Sequence, residues 1–180
     1  MTDHGLKQKV AQLRQAYAPH EHRPLGGYLA AMGTYAGVTG VLAGLVRVTG
    51  RPVPQRPSTA DVVLLSIATH KLSRLLSKDA VTSPLRAPFT SYERPIGSGE
   101  VMEQVRDSGS PTRHAIGELL SCPFCLAVWV ATGLTGGLVL APRLTRLVAT
   151  ALTAVAASDF LQMGYAIAQQ AAEGGQRDED

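Results

Sequence analysis

Apolar positions gather in four blocks along the chain. Residues 25–46, LGGYLAAMGTYAGVTGVLAGLV, carry no charge, and a helix of that length spans roughly 30 Å, the thickness of a bilayer's hydrocarbon core. Residues 122–141, CPFCLAVWVATGLTGGLVLA, form a second uncharged run. Residues 144–168 are interrupted only by Arg146 near the start and Asp159 inside. Residues 60–77, ADVVLLSIATHKLSRLLS, are apolar in their first half and basic in their second. The pattern predicts an all-α polytopic membrane protein, a four-helix transmembrane bundle with spans 25–46, 60–77, 122–141 and 144–168. For 60–77 the alternative is an amphipathic helix lying on the membrane surface.

The connections complete the expected organisation. Residues 1–24 read as a basic amphipathic leader, with Leu6, Val10, Leu13 and Tyr17 on one face and Lys7, Lys9 and Arg14 able to reach anionic headgroups. A solvated tail fits the leader equally well. The span after it is too long for the apolar region of a signal peptide and lacks a clear cleavage site. Residues 78–121 form a soluble loop between spans two and three: 78–95 ordered but irregular, 96–111 a Gly/Ser-rich linker around a short polar helix, then a helix opened by Thr112. Residues 169–180 read as an acidic disordered tail. Small residues mark faces where helices can approach: Gly33 and Gly37, Gly40 and Gly44, Gly133 and Gly137, then Ala149, Thr150, Ala154 and Ala157. They fit contacts within one chain or between two.

Composition changes this picture little, and charge orients it. Mean hydropathy is barely positive, which would suit a soluble protein were the apolar residues spread evenly. With both termini inside, twelve Lys and Arg fall on the cytoplasmic side and five outside, so the positive-inside rule favours that topology and a cytoplasmic 78–121 loop. The basic pI of about 9.1 follows from the same bias, and nucleic acid is not an expected partner. No Walker loop, GxSxG, HExxH or Rossmann glycine pattern is present.

Three constellations carry candidate chemistry. The first is Cys122-Pro123-Phe124-Cys125 at a helix start, where unpaired backbone N–H groups favour a thiolate. Redox, metal-binding and packing readings stand side by side. A metal would need more ligands than the two thiols; His114 and Glu118, four apart on one helical face, are the candidates, with zinc as the ion. Trp129 follows within the same span. The second is the stripe Lys71, Arg74 and Lys78 at the end of span two. Arg74 and Asp159 lie at matching depths of roughly 21 and 22 Å from the outer side at 1.5 Å per residue, which predicts an Arg74–Asp159 pair or one shared with Lys71. The third is Pro84-Leu85-Arg86-Ala87-Pro88-Phe89, whose Arg86, with Lys71, Arg74 and Lys78, can meet a phosphate or an anionic lipid head group.

The string ADVVLLSIATHKLSRLLSKDAVTSPLRAPFT, followed after a linker by GELLSCPFCLAVWVA, resembles an uncharacterised bacterial membrane family, domain of unknown function 1360, which includes sporulation-associated members. The likeness runs over about residues 58–165. His70, Lys71, Arg74, Lys78, Asp79, Arg86, Pro88, Phe89, Gly117, Glu118, Cys122, Pro123, Cys125 and Trp129 match its pattern. The resemblance implies a small multi-pass protein of the bacterial cytoplasmic membrane and supplies candidate residues but no reaction. The expected function is a non-enzymatic membrane module binding an anionic lipid, a partner protein or a metal at its cytoplasmic face, alone or as a homo-oligomer. The other reading is a membrane thiol–disulfide protein using Cys122 and Cys125.

Overall fold

The computed structural model describes residues 24–106 and 109–177, together with Gly5, Gln8, Lys9, Gln12, Ala16 and Tyr17 of the leader. Those six positions are helical, while Leu6, Lys7, Val10, Leu13 and Arg14, on which the interfacial leader rests, lie outside the described residues. The elements are α1 (Leu25–Thr49), α2 (Thr59–Lys78), a 3₁₀ turn (Ala80–Thr82), α3 (Ser83–Arg86), β1 (Thr90–Pro95), β2 (Val101–Val105), α4 (Pro111–Ser121), α5 (Pro123–Leu140) and α6 (Pro142–Arg177). The chain divides into two compact units, one of Met1–Leu45 with Leu75–Leu126 and the other of Val46–Arg74 with Ala127–Asp180.

The fold is mostly helical, but not all-α. Among the described residues three helices are long and apolar enough to cross a membrane: α1, α5 and the Pro142–Glu173 part of α6. The basic second half of α2, with His70, Lys71, Arg74 and Lys78, keeps it out of that group. The soluble segment corrects the sequence reading. β1, in the segment expected to be ordered but irregular, pairs antiparallel with β2, with an irregularity between Tyr92 and Arg94, and β2 stands where a short polar helix in a linker was expected. The Gly/Ser cluster is the hairpin's turn: the Ile96 N–H donates to the Glu100 carbonyl at 3.1 Å. Gly99 there has φ +82°, a conformation that a Cβ disfavours. The helix that follows starts at Pro111, not Thr112, because Ser110 is the cap whose hydroxyl accepts the Arg113 N–H.

Close backbone approach in the first unit occurs at two glycines outside the predicted pairs. A Cβ on Gly27 would collide with the Pro111 carbonyl and the Ala115 side chain, so α1 meets α4 there. A Cβ on Gly117 would come within 2.7 Å of Val105 and 3.1 Å of the Phe89 carbonyl oxygen, which seats α4 on the hairpin. Positions Gly33, Gly37, Gly40, Gly44 and Gly133 have open space around them.

In the second unit α2 and α6 run in the same direction. Asp61 pairs with Arg146, Thr153 donates to the Leu64 carbonyl, and Lys71 pairs with Asp159, so position rises together along both helices. The buried positions of α6 are Thr145, Ala149 and Ala156. Of the four small residues expected to pack, Ala149 does so, whereas Thr150, Ala154 and Ala157 are exposed. Gly137 of α5 faces the Thr145 side chain, closing the reversal from α5 into α6. Outward positions are apolar: Val62, Val63, Leu147, Val155 and Leu161 are all exposed. The last helix also continues through 169–177, past the point where a disordered tail was expected, and 178–180 lie outside the described residues.

Candidate functional site

Arg86 is the centre of the segment 78–121. Its one-turn helix α3 follows directly on the 3₁₀ turn, and the side chain is fully buried at 0% exposure. Nε donates to Glu103 Oε2 at 2.7 Å and Nη2 to Glu103 Oε1 at 3.1 Å, a two-pronged contact that matches the fork of a guanidinium to a carboxylate. Nη1 donates to the Leu76 carbonyl at 2.8 Å and to Thr82 Oγ1 at 2.6 Å. Nη2 also reaches the Asp79 carbonyl at 3.0 Å and Ser83 Oγ at 3.2 Å. Thr90, buried beside the pair, donates to Glu103 Oε2 at 3.0 Å. The guanidinium nitrogens thus all bond within the chain. Arg86, predicted to face an anionic ligand, instead ties the end of α2 to the hairpin.

Glu103 is the partner that sequence reading missed, and its ionisation carries a measurable consequence. Burial alone would raise its pKa, but hydrogen bonds from Arg86 and Thr90 and the charge of Arg86 outweigh this and hold it below its ordinary value of 4.5. A carboxylate depressed in the folded state contributes stability that is fully present above its unfolded pKa and lost as the pH falls through the folded one. The unfolding midpoint in detergent is therefore expected to hold level above about pH 5 and to decline below the ordinary carboxylate value. Glu103→Gln is expected to flatten that acid limb, and an unchanged limb in the variant would assign it to other carboxylates.

Around Phe89 the remaining contacts lock the loop to α4. The Arg106 N–H donates to the Phe89 carbonyl at 2.9 Å and its Nε to the Thr90 carbonyl at 2.6 Å. Arg113 donates to the Pro88 carbonyl at 3.0 Å and lies 6.0 Å from the Phe89 ring centre. Pro88 and Phe89 are thus held by arginines on both sides.

The α4–α5 junction brings the first constellation together. Glu118 accepts from the Tyr28 hydroxyl at 2.6 Å and lies 3.5 Å from His114 Nε2. Tyr28, three residues into α1, was not foreseen as its neighbour. Cys122 is extended, at φ −104° and ψ 109°, between the two helices. Its Sγ accepts the Cys125 N–H at 3.3 Å and its carbonyl accepts the Leu126 N–H at 3.0 Å, so the thiol caps α5, with Pro123 at the first helical position. Both cysteines are free; Cys122 is half-buried and Cys125 exposed. Among the described residues no three His, Cys, Asp or Glu side chains come together as a metal-holding group, so His114 and Glu118 do not complete a set with the thiols.

The cations of the second and third constellations divide between the units. Lys71 and Arg74 belong to one, Lys78 and Arg86 to the other. Lys71 Nζ lies 2.8 Å from Asp159 Oδ2, so the carboxylate predicted to meet Arg74 or Lys71 meets Lys71. A second pair, Arg146 to Asp61 at 2.8 and 2.9 Å, ties the start of α2 to the start of α6. Trp129 is half-buried in α5.

Comparison with known proteins places this arrangement among relatives. A family model described as "Protein of unknown function (DUF1360)" matches residues 64–165. The sporulation protein YjcA of Bacillus subtilis (strain 168) is 41% identical over 71 residues, which are 39% of this chain and 60% of that protein. The likeness thus extends over less than two thirds of that relative's length. No solved structure matches. The family match takes in the Arg86 centre, the Cys122–Cys125 turn and Asp159, and more than half of the residues: the chain belongs to the DUF1360 family of proteins of unknown function.

Proposed function

We propose that the chain is a small non-enzymatic module of the bacterial cytoplasmic membrane, crossing it four times with both termini inside, and that its cytoplasmic unit rests on the inner leaflet and holds anionic lipid there. The observation that carries this reading is an inversion in the soluble unit. Arg86 at the end of α3 is 0% exposed, whereas the neighbouring Val81 and Leu85 are 80% and 61% exposed. A segment that buries its charge and turns aliphatic side chains outward matches the boundary between headgroups and acyl chains. Exposed Phe124 and Tyr92 in the same unit are residues that favour that depth. Lys78 at the end of α2 and exposed Arg94 supply the cations for anionic headgroups; Arg86, saturated within the chain, does not.

Two further observations support the four-crossing topology. The parallel course of α2 and α6 is what two spans entering from the same side require. Along α2, Asp61, Ser73 and Ser77 are buried while Val62, Val63 and Ile67 are exposed, and its exposed His70 and Arg74 lie in its second, basic half. The first half suits a helix whose surroundings are lipid and whose charge faces protein.

Reconstitution of the full chain into nanodiscs tests the lipid reading. Each cation near an anionic surface contributes about 1 kcal/mol, so phosphatidylglycerol is expected to raise the unfolding midpoint by several degrees over phosphatidylcholine alone. Combined Lys78→Gln and Arg94→Gln replacement is expected to erase most of the gain, as is high salt. Equal midpoints in the two lipids would overturn the proposal.

A further inference from the structure

The end of the second unit where α2 and α6 start carries cations that the inner-leaflet surface does not use. Arg146 grips Asp61 there at 2.8 and 2.9 Å and holds the two helix starts together. Residues 50–58 lead into α2 and bring Arg51 and Arg56, and the reversal from α5 into α6 brings Arg143. All three are exposed. Within 46–61 and 127–146 the sole acid in the sequence is Asp61, and Arg146 takes it up. Arg47, in the last turn of α1, is accounted for as a cation at a helix's negative end; the other three are not.

Each of the three adjoins a proline: Arg51 precedes Pro52, Arg56 precedes Pro57 and Arg143 follows Pro142. Proline has a fixed φ and holds the residue before it extended, so the connection presents its cations at a low conformational cost. Apolar side chains are turned outward among them, with Val48, Val53 and Leu144 all exposed. A dissolved anion needs the cations but has no use for exposed valines. Cations interleaved with aliphatics match the boundary between headgroups and acyl chains. The cations of 46–61 and 127–146 are all arginine, not lysine, and a guanidinium fork fits two oxygens of one phosphate. The positive-inside rule also works against cations on an outer face, so exposed arginines there run against the bias that orients the rest of the chain.

We infer that this end of the second unit binds phosphate headgroups of anionic lipid in the outer leaflet through Arg51, Arg56 and Arg143, with Val53 and Leu144 set among the upper acyl chains. The inference rests on the four-crossing topology, which turns this end outward, and adds a second lipid contact to the one on the inner face.

The test uses the full chain with Val53→Trp and Trp129→Phe, which places its single indole at this end. Nanodiscs hold equal amounts of phosphatidylglycerol and phosphatidylcholine, with the acyl chains of one or the other brominated to quench fluorescence. Brominated phosphatidylglycerol is expected to quench about twofold more than brominated phosphatidylcholine, because nearby cations concentrate anionic lipid. Replacing Arg51, Arg56 and Arg143 together by Gln is expected to equalise the two, with helical content by circular dichroism unchanged. High salt is expected to do the same with every arginine in place. Lys78→Gln with Arg94→Gln is expected to leave the ratio as it was, so the two lipid contacts fail separately. Equal quenching in the parent protein, with or without binding of soluble polyphosphate, would overturn the inference and leave the topology standing, as would a preference that survives the triple replacement. Absence of quenching by either lipid would place this end away from a bilayer surface and overturn both.

Discussion

Arg86→Met is expected to destabilise the chain by about 3–5 kcal/mol, the range for removing one partner of a buried ion pair. Methionine fills much of the space but donates nothing. The Glu103 carboxylate loses both prongs of its partner, and the carbonyls of Leu76 and Asp79 lose theirs. Buried acceptors left without donors retain their full desolvation cost. Arg86→Lys is expected to recover only part of the loss, because an ammonium cannot span both carboxylate oxygens while also reaching two carbonyls and two hydroxyls. The double variant Arg86→Met with Glu103→Met is expected to be more stable than Arg86→Met alone, since no charge is then stranded. Thermal unfolding in detergent, with limited proteolysis of the 78–121 segment as a local readout, distinguishes these outcomes. If Arg86→Met unfolds within 1 kcal/mol of the wild type, the centre is not a folding element and Arg86 returns to the ligand-binding candidates.

Asp159→Leu is expected to have the next largest effect, about 3 kcal/mol, near the cost of a single charged side chain at the middle of a membrane helix. Lys71 would then keep its ammonium without the carboxylate at 2.8 Å. Lys71→Leu strands Asp159 in the same way. The exchanged pair, Lys71→Asp with Asp159→Lys, is expected to recover at least half of either single loss, as is the neutral pair Lys71→Leu with Asp159→Leu. A full double-mutant cycle isolates the pairwise contribution from changes in helix packing. An exchange no better than the singles would mean that the two charges are stabilised by other groups.

The two results concern parts of the molecule that differ in how legible they are from sequence. The long apolar helices are plain because hydropathy is a continuous signal: α1, for example, has no charge from Leu25 to Val46. The meeting of Asp159 with α2 was also within reach, because rise per residue fixes depth. Of the two partners that reading offered, Lys71 meets Asp159 at 2.8 Å. Along α2 the two ion pairs are ten residues apart and along α6 thirteen, roughly 15 and 20 Å at 1.5 Å per residue. Depth counted from the ends therefore locates the Asp159 partner to within a turn.

The soluble unit was the harder case. TSYERP and VMEQV are short strands with charges inside them, and the irregularity near Tyr92 breaks the two-residue alternation on which strand recognition depends. Glu103 then looks like one polar residue of a linker helix. With its partner hidden, Arg86 between two prolines reads as a cation offered to a ligand. The Cys-Pro-Phe-Cys turn shows the same limit on a smaller scale: its place at a helix start was legible, whereas the Tyr28–Glu118 contact beside it joins positions 90 apart.

The bonds from Arg86 to Leu76 and Asp79 also impose an order in time. Leu76 is among the last residues of α2, whose terminal carbonyls have no partner within the helix. During synthesis it emerges before Arg86, and Arg86 before Glu103. The nascent chain therefore releases α2 with its C-terminal end unfinished. That end is closed only when the hairpin has been made and its carboxylate has fixed the arginine in place. Maturation of the helix waits on a strand translated twenty-five residues later.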